Sequence, residues 1–270
     1  MILTEYKFRP ESDSRAEESC ADVANKLKTA FAESTDMIVI NNLQIEVYDR
    51  QITVDHAVLH TYGMTLISSR TLYGKIEVNY RGEWSRSVKG RDIPMENPID
   101  LYKHASKALR DDLVKNVETI MSKHNGVQKT FDGMPIELMF IQAPKSGLQG
   151  NGINSSAILF SEQLTQTITR HFNSYKKRVY QQFGGMDVFR FFSSDMFACA
   201  DYLVGNEIDR ESYPVAQPDQ TASGASSGSG QSGKRVIVRT KQIGGGPGVI
   251  KASSIKPSRK KPEQMVNESD

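Results

Sequence analysis

The chain has 270 residues, 34 Lys plus Arg against 32 Asp plus Glu, 38% hydrophobic residues and two cysteines. This length suits one ordinary domain or two small ones, and two cysteines exclude a disulfide framework and a four-cysteine zinc site. The net charge of +2 hides a split: residues 234–270 hold nine basic residues against three acids, and residues 1–233 hold 25 against 29, which excludes a uniformly basic nucleic-acid coat protein and leaves a mildly acidic body with a basic tail.

In chain order, residues 1–14 read as an irregular polar lead-in. Residues 15–33 have a helical pattern, with Cys20, Val23, Ala24, Leu27, Ala30 and Phe31 on one stripe. Acids between Glu11 and Glu18 suit the start of that helix. Met37–Ile40 reads as a short strand, Asn41-Asn42 as a turn or strand break, and Leu43, Ile45 and Val47 as a half-buried strand. Strands are then expected at 52–59, 64–68 and 75–80, punctuated by Gly63 and Gly74, with Trp84 following Gly82. Asn97-Pro98 caps and opens a helix expected to run to about His124. A buried strand at 135–141 and helices at 155–183 and 187–204 complete the body. Residues 221–233, TASGASSGSGQSG, read as a flexible linker. No apolar run is long enough to span a bilayer, and the first residues lack the basic and apolar regions of a signal peptide. The chain is expected to be soluble and cytoplasmic.

Residues 40–84 carry the chemistry. Val54-Asp55-His56 stands in one strand, and Ile67-Ser68-Ser69-Arg70 ends the next. Asn97-Pro98-Ile99-Asp100-Leu101 follows, with His104 and Leu109-Arg110 further along the helix. These motifs, in this order and spacing, resemble the NERD (nuclease-related) domain over roughly residues 15–145. The resemblance implies a restriction-endonuclease-like α/β fold, a mixed central sheet flanked by helices. It also implies a Mg²⁺ site for phosphodiester cleavage, in which two carboxylates hold the metal and a lysine helps to orient or deprotonate water.

The catalytic positions implied by the resemblance are Asp55, Ser68 and Arg70, and only Asp55 has the family's residue. Ser68 replaces a glutamate and removes a charge. Arg70 replaces the lysine; it can grip a phosphate but cannot take a proton. Cys20, with Glu17 and Glu18 beside it, falls near the family's helix acid, and Leu101 stands in place of a glutamine. The reading that follows is a nucleic-acid-associated protein, most simply a DNA binder, with an impaired or absent catalytic site. Two alternatives stay open. One is an active metal-dependent endonuclease in which Asp55 holds Mg²⁺ with a relocated Glu46, Asp49 or Glu77. The other is a protein-interaction scaffold.

A structural account stands beside these. Asp55 in an apolar strand needs partners, and an ion pair with Arg70 on the adjacent strand supplies one. His56 and Trp84 read as packing residues. Besides Arg70, the expected phosphate contacts are Lys176, Lys177 and Arg178 beside Tyr175 and Tyr180, and Arg259, Lys260 and Lys261 in the tail. The expected domain limits are 1–14 for the lead-in, 15–145 for the nuclease-related domain, 146–210 for a helical extension packed on it, and 211–270 for the linker and a disordered basic tail. Val188-Phe189-Arg190-Phe191-Phe192 is a candidate docking patch for a protein partner.

Overall fold

The structure is a computed structural model, and it describes residues 1–206 without 11, 49, 144–145, 151–154 and 182–188. Asp49, Val188, the linker and the tail with Arg259, Lys260 and Lys261 lie outside the described residues.

Helix α1 spans Ser14–Phe31. Strands β1 Met37–Val47, β2 Arg50–His60 and β3 Gly63–Leu72 follow as a meander. Then come β4 Lys75–Val78, β5 Trp84–Val88, β6 Arg91–Met95, α2 Pro98–Lys115 and the short α3 Val117–Ile120. The rest is β7 Lys123–His124, β8 Val127–Gln128, β9 Ile136–Gln142, β10 Gly147–Gly150, β11 Ile158–Phe160, α4 Ser161–Gln181 and α5 Ser193–Val204.

The central sheet has the order β1-β2-β3-β9-β11. Its first three strands are antiparallel, and β9 and β11 add in parallel. Helices cover both faces. Val23, Leu27 and Phe31 of α1 pack with Leu164, Ile168 and Phe172 of α4 on one side. Tyr102, Ala105, Leu109 and Leu113 of α2 pack with Met196 and Cys199 of α5 on the other. The mixed sheet between helices that the resemblance implies is therefore present.

Local chemistry explains the ends of the helices. Asp13 caps α1 by accepting from the Arg15 amide. Asn97 caps α2 by accepting from the Ile99 amide, with Pro98 in the first turn. Helix α2 stops at Lys115, short of the expected His124, and α3 and a two-residue strand take up the remainder.

A second sheet, ordered β10-β4-β5-β6, stands beside the first. Its β5–β6 hairpin turns on Lys89 and Gly90, both at positive φ, the conformation a tight two-residue hairpin requires. Residues 146–210 supply strands as well as helices. Strand β10 pairs with β4, and β11 extends the central sheet beside β9.

Asn41 and Asn42 do not end a strand; β1 is continuous through them. Asn42 takes φ 55°, and the side-chain alternation changes phase there. Ile38 and Ile40 before it, and Leu43, Ile45 and Val47 after it, all enter the same core cluster. Opposite, β2 changes phase in the same way, with Val54 and Ala57 in that cluster and Asp55-His56 between them. The paired register stays constant across this point. Both strands thus turn polar side chains inward at one level of the sheet, and the site stands there.

Candidate functional site

Asp55 is 3% exposed and Glu17 1%. Asp55 points from β2 toward the end of β3, where the β2–β3 ladder stops at His56 and Ile67. Beyond that pair its Oδ2 accepts from the backbone N–H groups of Ser69 and Arg70, both at 2.9 Å. The register between β3 and β9 shifts between Ser68 and Leu72. This bulge lets two consecutive amides face one carboxylate. Asp55 therefore replaces the missing ladder partner for two buried donors.

The same bulge aims the Arg70 side chain at α1. Its Nε lies 3.7 Å from Asp55 Oδ1, and its Nη2 lies 3.1 Å from Glu17 Oε1. The arginine side chain is 13% exposed. One guanidinium thus stands between two buried carboxylates. The cross-strand pair expected for Asp55 is present, and the acid that α1 contributes is Glu17. Cys20, one turn on, meets Ser69 instead.

The N-terminal lead-in roofs the site. The Tyr6 hydroxyl bonds Glu17 Oε2, the Arg9 amide donates to the same oxygen at 3.1 Å, and Arg9 Nη2 reaches Asn42 Oδ1 at 3.4 Å. Below, Asn41 Oδ1 meets His56 Nδ1 at 2.7 Å, and His56 Nε2 meets the Ser69 hydroxyl at 2.8 Å. Asn41 Nδ2 donates to the Thr4 carbonyl, so its Oδ1 faces the ring and fixes the Nδ1–H tautomer. Burial, then Arg70 and Arg9, lowers the His56 pKa to about 3. His56 is a neutral wedge, as expected for a packing residue.

The charges follow from burial and neighbours. Burial raises the Asp55 pKa, opposed by Arg70 and by the two amides. Burial also disfavours the Glu17 charge, but Tyr6, the Arg9 amide and Arg70 outweigh it and hold the carboxyl below its ordinary value. Burial acts to lower the Arg70 pKa; Asp55, then Cys20 and Glu17, overcome it and hold the guanidinium protonated. Burial and Asp55 push the Cys20 thiol up to about 11, so it stays neutral.

The atoms present do not suit the Mg²⁺ that the resemblance implies. Asp55 Oδ2 is taken by two amides, and Oδ1 faces a guanidinium that would repel a second cation. Ser68 is fully buried, and its hydroxyl pairs with Thr71 Oγ1 at 2.6 Å. Among the described residues, no three His, Cys, Asp or Glu side chains converge as a metal-holding group. Glu46 is exposed on β1 opposite Gln51, and Glu77 is exposed on β4 in the other sheet. Neither bonds to Asp55 or Arg70.

The other expected contacts lie elsewhere. Lys176, Lys177 and Arg178 are exposed on α4, and Tyr175 beside them stacks on His60. His60 is five residues along β2 from Asp55, about 16 Å at the rise of a strand, so these cations and Arg70 do not form one cluster. The aromatic run of the docking patch is divided: Phe191 is core, Phe189 is half-buried and Phe192 is exposed. Phe191 is buried, Phe189 packs on it and on Phe131, and Phe192 lies beneath the Lys129 ammonium.

Tyr6, Arg9, Asn41 and Ser69 were not legible as site residues. Asn41 carried one signal, two adjacent asparagines inside an apolar strand.

A helix acid, Glu17, an aspartate at the strand centre, Asp55, and Arg70 near the end of β3 thus meet on one mixed sheet between helices. Residues 12–133 match the family model of the nuclease-related domain, NERD. Over that stretch, a little under half of its length, the chain is similar to the nuclease-related domain family. No curated protein and no solved structure matches the chain.

Proposed function

We propose that this nuclease-related domain associates with nucleic acid, DNA in the first instance, without cutting it. The observation that carries this reading is the Arg70 guanidinium bound to both Glu17 and Asp55. A permanent cation stands where the chemistry of the family calls for an exchangeable one, and arginine cannot serve as a base. The charge removed at Ser68 belongs to the same change. Ionic attraction to phosphate would come from the exposed Lys176, Lys177 and Arg178 and from Arg259, Lys260 and Lys261 of the tail. No described helix is long and apolar enough to cross a membrane. The two free, buried cysteines are consistent with a cytoplasmic protein.

Incubation of the purified chain with duplex DNA and Mg²⁺ or Mn²⁺ tests this. The expected result is salt-dependent binding with the DNA left intact. Cleavage that disappears in Asp55→Asn would show that the site is catalytic. Loss of all binding at low salt would leave the domain as a scaffold for protein partners.

A further inference from the structure

Beside the Arg70 cluster, the turn after β3 carries a second group of cations that the charge pairs above do not consume. Arg86 on β5 reaches back to this turn. Its Nη2 donates to the Thr71 carbonyl at 2.6 Å and its Nη1 to the Tyr73 hydroxyl at 3.1 Å. Its guanidinium carbon stands 3.9 Å from the centre of the Tyr73 ring, and that of Arg15 stands 5.5 Å away.

The two arginines differ in one respect. Arg15 is paired with Asp13 at 3.3 Å. Arg86 has no carboxylate within 4.0 Å among the described residues, and its buried Nε has no hydrogen-bond partner there. The Asp13 carboxylate that bonds Arg15 also acts on Arg86, from beyond ion-pair distance, and a guanidinium with no directly bonded carboxylate favours an anion. Tyr73 extends the same chemistry. Its oxygen accepts from Arg86, so its own hydrogen remains to be donated, and acceptance from a cation strengthens that donation. Tyr73 and Arg15 line a cavity of about 470 Å³ between α1 and the turn at Gly74. Of the acids lining it, Asp22 is bonded to Lys26 at 2.6 Å, and Glu18 is exposed.

We propose that Tyr73 and Arg86 form a phosphate clamp at the edge of the site, taking a phosphodiester oxygen of a bound nucleic-acid strand. The Tyr73 hydroxyl and the Arg86 guanidinium are the donors, and Thr71 holds the arginine in place. This rests on the nucleic-acid reading above, and the experiment separates the two.

Fluorescence anisotropy of a labelled DNA duplex, titrated with the full chain across a salt series, reads the clamp. Arg86→Gln should weaken binding about tenfold and lower the salt slope by about one. Tyr73→Phe keeps the Arg86–Thr71 bond, and with it the fold of the turn. It should weaken binding about fivefold, the share of one hydrogen bond. Wild-type affinity and slope in both variants would overturn the clamp. If the wild-type chain binds no duplex, the nucleic-acid reading fails, and inorganic phosphate becomes the probe. A rise in melting temperature with phosphate that is lost in Tyr73→Phe would then support an anion site of other purpose. No response of the wild-type chain to phosphate would overturn the clamp as well.

Discussion

Arg70 serves two buried carboxylates, so its removal should cost more than the removal of either acid. In Arg70→Met, Glu17 and Asp55 face each other with no cation between them. The expected loss is about 3–5 kcal/mol, the range for a buried pair broken on one side. Asp55→Ala leaves two buried amides without an acceptor and should cost about 2–4 kcal/mol. Asp55→Asn keeps an oxygen for those amides, leaves Arg70 with Glu17, and should cost less than Asp55→Ala. Urea denaturation of the three variants gives the ranking; equal losses for Asp55→Asn and Asp55→Ala would mean that the charge, not the acceptor, matters. At this scale the sequence was half informative. Asp55 and Arg70 were legible because a charged residue in an apolar strand needs a partner. Glu17 could not be separated from Glu18 or Cys20, since all three lie within one turn of α1, and side-chain direction decides which one meets β3. Ser69 was hidden because its part depends on a bulge that no pattern of residue types announces.

The strands depend on a few backbone conformations. Asn42 holds φ 55° in the interior of β1, which places two core-facing runs in one phase. Asn42→Gly should be nearly neutral, because glycine adopts this conformation readily. Asn42→Val forces a branched side chain into the left-handed region and should cost about 1–2 kcal/mol. Gly63 begins β3 at φ 150°, and a Cβ there would lie 2.4 Å from the Pro135 carbonyl oxygen. Gly63→Ala must therefore part β3 from the segment that enters β9, and a thermal melt should show a larger loss than the same substitution at a glycine in an open turn. Gly82→Ala, where nothing lies within 4 Å, isolates the conformational cost from the clash. The long elements were legible because their apolar periods are strong. Strands β5 and β6 were not. They read Trp-Ser-Arg-Ser-Val and Arg-Asp-Ile-Pro-Met, with little alternation, and their signal was the Lys89-Gly90 turn. Strand β11 is three residues long and merges with the helical pattern of α4.

For the whole domain, buried neutral histidines set the response to acid. His56 is lowered to about 3, by burial first, and His60 to about 4, by burial and then His171. The unfolded chain protonates these groups near pH 6.5. Their contribution to stability is therefore fully present above that value and is lost as pH falls toward 4 and then 3. Glu17, also lowered, adds a loss in the same direction at lower pH. Asp55, raised by burial, acts oppositely: its contribution is present in acid and lost as pH rises through its folded value. In Asp55→Asn, which removes the opposed carboxylate, urea midpoints should therefore fall steadily from pH 7 to pH 4. A flat profile would mean that His56 is protonated in the folded chain and that its Nδ1–H tautomer is assigned wrongly.

The division of charge remains the frame for function. Among the described residues, the acidic body holds two of its three buried carboxylates, Glu17 and Asp55, under one arginine, while exposed cations stand on α4 and the sequence of residues 234–270 carries nine more. Titration of Mn²⁺ into the wild-type chain by calorimetry tests the central claim, that Arg70 has taken the place of an exchangeable cation. No saturable site that depends on Asp55 is expected, so the wild type and Asp55→Asn should give the same heats. A one-to-one site in the wild type that vanishes in Asp55→Asn would contradict it.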